Sequence, residues 1–66
     1  VKQSTKEALL QAYNLMQPII AGLYLENEKA VENGDDVDAS LLETRADRLF
    51  QEADSILLVI SEYEDE

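Results

Sequence analysis

The sequence predicts an all-α protein, a two-helix antiparallel hairpin formed by a single domain spanning residues 1–66. Three observations lead there. Apolar residues recur every seventh position in two long stretches, each stretch opens with a helix-start signal, and the Asn33-Gly34 pair separates two arms of nearly equal length.

The first helix is expected over about residues 5–32. Ser4-Thr5-Lys6-Glu7 has the form of a capping box, in which a Ser and a Glu three residues later satisfy each other's free backbone N–H groups. Leu9, Met16, Leu23 and Ala30 then form the apolar line, flanked by Ala12 and Ile19 on one side and by Tyr13 and Ile20 on the other. Pro18 interrupts this pattern, since a proline removes one helical hydrogen bond and crowds the carbonyl of Asn14. It falls opposite the apolar line, where a bent helix stretches its solvent-side hydrogen bonds, so the expectation is a kinked but continuous helix. The alternative is a break at Gln17 that leaves three helices around the same core.

Asn33-Gly34 supplies residue types that tolerate the left-handed conformation closing many helices. Asp38 or Ser40, the latter with Glu43 as its box partner, would cap a second helix over about residues 39–63. Its stripe is Leu42, Leu49, Ile56 and Tyr63, flanked by Ala46, Ala53 and Ile60 and, further round, by Phe50 and Leu57. The alanines are small enough to let two helix backbones approach closely. Arms of about 28 and 25 residues, roughly 42 and 38 Å, fold back on each other across so short a loop. Residues 1–3 and 64–66 are expected to fray, the latter because Glu64, Asp65 and Glu66 put negative charge at the negative end of the helix dipole.

Composition bounds the function. The chain has neither Cys nor His, which removes disulfides, the usual zinc sites and Glu-x-x-His di-metal bundles. No motif supplies a base to a Ser or Lys nucleophile, and every acid sits on a polar helix face, a loop or the tail, so no catalysis is expected. Asp36-Val37-Asp38-Ala39-Ser40 resembles the start of a calcium loop, but Leu41 and Asp47 occupy the positions where such a loop needs Gly and Glu. Helix capping explains the same residues, and no cofactor or metal is expected. No run reaches the roughly 18 apolar residues of a membrane span and no basic leader precedes an apolar segment, so a soluble cytoplasmic protein is expected.

Fifteen Asp and Glu against five Lys and Arg give a formal charge of −10. Such a chain repels phosphate backbones and anionic lipid, so neither nucleic acid nor membrane is an expected direct partner. Basic or apolar protein surfaces, or a second copy, remain.

The segment Ile56-Leu57-Leu58-Val59-Ile60 argues for the second copy. A hairpin needs one apolar face per helix, yet these five aliphatics encircle theirs. Leu10, Leu15, Tyr24, Leu25 and Val31 likewise lie at or beyond the edge of the first stripe, and with Leu57, Leu58 and Val59 they form the expected dimer or partner interface. A homodimer, two hairpins in a four-helix bundle, would cover this surplus and also supply core that 66 residues lack. At the opposite end Glu26, Glu28, Glu32, Asp35, Asp36, Asp38, Glu43 and Asp47 form a candidate acidic patch against Lys29, Arg45 and Arg48.

The expectation is therefore a small acidic protein–protein interaction module, an adaptor, co-chaperone or inhibitor working through an apolar helical face. In size and outline such a hairpin resembles bacterial secretion co-chaperones and small phage-encoded inhibitors, a likeness of shape that no motif carries. Two alternatives are an inhibitor that mimics DNA by presenting its acidic surface to a nucleic-acid-binding protein, and a purely structural helical bundle.

Overall fold

The computed structural model describes residues 1–63. Two helices, α1 (Gln3–Glu32) and α2 (Asp36–Tyr63), pack against each other as a hairpin measuring 50 × 15 × 11 Å. The expected fraying at residues 64–66 lies outside the described residues.

Both helices begin earlier than the capping signals suggest. Lys2 stands at the N-cap of α1 without a side-chain capping bond, and its carbonyl accepts the Lys6 N–H at 3.1 Å. Ser4 lies inside the helix, and Glu7 instead accepts a side-chain hydrogen bond from Gln3, 3.4 Å away. In α2 the first helical residue is Asp36, so Asp38 and Ser40 are interior and Asp35 is the capping position, its carbonyl 2.9 Å from the Ala39 N–H. Asp36 and Asp38 both fall in the first turn, where the positive end of the helix dipole stabilises carboxylates over the whole turn. A dipole effect spread over several positions carries no information about which residue starts the helix.

The connection between the helices is a Schellman closure. Gly34 takes φ +75°, its N–H donates to the Val31 carbonyl at 3.1 Å, and the Asp35 N–H donates to the Ala30 carbonyl at 2.8 Å. Only a residue without Cβ adopts that backbone conformation cheaply, which is why Asn33-Gly34 marks the reversal. Helix α1 runs through Pro18 as one element. Pro18 and Asn14 are both exposed, so the carbonyl that loses its helical donor is on the solvent side.

The seam between the helices follows an alternating spacing of three and four residues. Leu9, Tyr13, Met16, Ile20, Leu23, Asn27 and Ala30 line it in α1, and Ala39, Leu42, Ala46, Leu49, Ala53, Ile56 and Ile60 in α2. All fourteen are buried or half-buried, and apart from Lys6 and Ala12 every other described residue is exposed. This is coiled-coil spacing, in which each side chain enters a gap on the facing helix. The return at Gly34 sets Leu23 level with Ala46 and Met16 level with Ala53, a large side chain against a small one. Small side chains at such positions permit close approach of helix backbones, whose usual separation is about 8–10 Å.

The seam in α2 is centred further round than the expected Leu42–Tyr63 stripe. Its most buried line is Ala39, Ala46, Ala53 and Ile60, while Tyr63 is exposed and Phe50 and Leu57 stand outside it. In α1 the seam takes the Tyr13 and Ile20 side and leaves Ile19 in water. Among the described residues six side chains are buried, and four of those are alanine. Such a core is thin.

Candidate functional site

With the seam located, the seven-residue register assigns every remaining side chain to a face. Beside the seam on one side run Gln3, Leu10, Gln17, Tyr24 and Val31 of α1 and Asp36, Glu43, Phe50 and Leu57 of α2. On the other side run Thr5, Ala12, Ile19 and Glu26 of α1 and Asp38, Arg45, Glu52 and Val59 of α2. Two features join members of the first group across the helices. The Tyr24 hydroxyl donates to Asp47 Oδ1 across the helices at 2.5 Å, and a cleft there is lined by Tyr13, Gln17, Phe50 and Leu57, with Ala53 at its floor and Asp54 at its rim.

All eight candidate interface residues are exposed, but they do not share one surface. Leu10, Tyr24, Val31 and Leu57 lie together on the face with the cleft. Leu15 and Val59 belong to the opposite side. Leu25 and Leu58 point straight away from the seam on the backs of their helices, as Pro18 does. The ring at Ile56–Ile60 thus divides: Ile56 and Ile60 enter the seam, Leu57 and Val59 flank it on opposite faces, and Leu58 faces water.

All eight residues of the acidic patch are exposed around the turn. Glu26 pairs with Lys29 at 3.3 Å, an exposed contact of one helical turn that contributes little to stability. Asp47 holds Tyr24. That hydrogen bond, which ionisation would destroy, is the main reason the Tyr24 hydroxyl titrates above its ordinary value of 10.0; desolvation and the charges of Asp47 and Glu43 push the same way. Among the described residues no group of acids is arranged to hold a metal ion, and no helix is long and apolar enough to cross a membrane.

Several features of these surfaces escape a reading based on apolar periodicity. Phe50 and Ile19 are 58% and 56% exposed, although both had places in the expected stripes. Val37 and Leu41 add exposed aliphatics to the acidic end. Asn27 occupies the seam, where its Oδ1 is buried without a protein partner. The signal for Asn27 was present: it sits midway in the three-four spacing between Leu23 and Ala30, but a search for apolar residues passes over it.

No known protein family matches the chain, and no curated protein or solved structure matches it.

Proposed function

We propose that this chain is a small acidic protein–protein interaction module that dimerises into a four-helix bundle and offers its remaining apolar helical surface to a protein partner. It would act without catalysis, as an adaptor, co-chaperone or inhibitor, on a basic or apolar surface. The observation that supports this reading is the imbalance between inside and outside. Two isoleucines and four alanines are buried, while fourteen large apolar side chains of the described residues stand exposed. Apolar surface on that scale is costly in water and marks surfaces that other protein covers.

The back positions Leu25 and Leu58 carry the test, because neither touches the seam. A tagged chain is used to capture its partner from a cell extract, in parallel with Leu25→Asp and Leu58→Asp. Loss of capture by either variant, with helix content by circular dichroism unchanged, supports the module. Equal capture by both variants sinks it.

A second reading draws on the eight exposed acids around the turn: a nucleic-acid mimic that blocks a basic groove through the Glu26–Asp47 region. Its partner affinity would fall steeply between about 50 and 200 mM salt, as contacts made mostly of charge do. Salt-insensitive binding removes this reading and leaves the first.

A further inference from the structure

The two faces beside the seam differ in kind. On the face with the cleft, five of the nine flanking positions are apolar (Leu10, Tyr24, Val31, Phe50 and Leu57) and two, Asp36 and Glu43, are charged. On the opposite face three of eight are apolar and four are charged. The first is therefore the more apolar and less charged of the two, its polar positions Gln3 and Asp36 lying at the ends of the hairpin, and the better suited to be covered by another helix pair.

Phe50 and the cleft are also neighbours. Phe50 is a 58% exposed aromatic near mid-length of the hairpin, and it forms one wall of the cleft whose other walls are Tyr13, Gln17 and Leu57. The cleft extends from Phe50 toward Leu57, one to two helical turns, or roughly 5–10 Å. A protruding ring beside a recess of this size is self-complementary, because a two-fold axis through that point carries the ring of each copy to the recess of the other. The same axis lies near the middle of α1, so the two hairpins overlap along most of their length. The broad side of the hairpin measures 50 by 15 Å, a projected area of roughly 750 Å², so a second copy lying along the whole of it reaches the scale of the ~800 Å² per partner that stable interfaces bury.

We propose that a second copy of this chain covers the Leu10–Tyr24–Phe50–Leu57 face, the two hairpins meeting about a mid-length two-fold with each Phe50 seated in the other's cleft. This inference rests on the dimer reading above and specifies the face and the anchor. It leaves Ile19, Leu15, Leu25, Leu58 and Val59 outside the dimer and available to a different partner.

The experiment combines mass with a local probe. Sedimentation equilibrium of the unaltered chain gives the dimer dissociation constant, and Phe50→Asp is compared with Ile19→Asp on the opposite face. Phe50→Asp is expected to weaken the dimer at least ~30-fold, as loss of a central aromatic anchor does, and Ile19→Asp by less than ~3-fold. Since the chain has no Trp, Phe50→Trp and Ile19→Trp supply a second reading that does not depend on a disruptive charge. Emission from Trp at position 50 shifts to the blue as concentration drives association, while emission from position 19 stays that of a water-exposed indole. A dimer that resists Phe50→Asp, or a blue shift at position 19 instead of 50, overturns the proposed face and leaves the dimer reading standing. A chain that stays monomeric at millimolar concentration overturns both.

Discussion

Ile19 and Ile20 are adjacent and chemically identical, yet Ile20 is 5% exposed and Ile19 56%. The contrast runs through the whole molecule. In the seam, Ala46 is completely buried, while on the back of the same helix Leu58 is 59% exposed. Burial here is decided by rotation about the helix axis, not by hydrophobicity. The seam takes alanines together with one set of larger aliphatics, and the aliphatics at every other rotation are left to the outer faces. Stability should accordingly be concentrated in the seam, and association on the outer faces.

The largest expected effect comes from the isoleucine pair. Ile20→Ala removes buried methyl groups from a core with little to spare and should cost about 2–5 kcal/mol. Ile19→Ala should stay within about 0.5 kcal/mol, as surface substitutions do. Urea melts of both variants measure the difference, and equal losses would mean that the seam is placed wrongly. Next, Ala46→Leu inserts bulk at a completely buried seam position and should destabilise by about 1–3 kcal/mol, although leucine is the more hydrophobic residue and nearly as good a helix former. A gain in melting temperature would show that the alanines do not set the spacing.

Smaller and opposite in sign is Asn27→Leu. Replacing a seam amide whose oxygen has no protein partner should raise stability by about 1 kcal/mol, and a loss measured by the same melts would assign Asn27 a role in holding the alignment of the helices. The smallest effect concerns the Tyr24–Asp47 bond on the outer face. The folded-state pKa of Tyr24 lies above that of the unfolded chain, so its contribution is complete below pH 10 and is lost as pH rises through the folded value. Stability measured from pH 8 to 12 should fall at the alkaline end by less in Tyr24→Phe than in the unaltered chain. Parallel curves would show that the hydrogen bond carries no linkage.

Much of the architecture was legible because the signals were local. Gly34 is needed for one backbone conformation, and the seven-residue repeat of Leu9, Met16 and Leu23 belongs to a helix whatever it packs against. The capping boxes misled for a local reason too. Ser4, Asp38 and Ser40 are compatible with a cap but also with a first helical turn, and the adjacent residues were equally able to continue the helix. The exposed surplus at Leu57, Leu58 and Val59 was legible as a quantity, since five consecutive aliphatics cannot all face one neighbour. Their distribution over three different surfaces was not.

What the sequence determined by itself is therefore the hairpin, its turn, its charge and the presence of more apolar surface than two helices can hide. What only the tertiary structure decided is the rotation of each helix about its own axis. An apolar stripe wide enough to face a partner in several rotations leaves that choice to packing, and here the line Ala39, Ala46, Ala53 and Ile60 is the one most deeply buried. That choice buried alanines, turned Phe50 outward beside a cleft, and divided the exposed aliphatics among several faces.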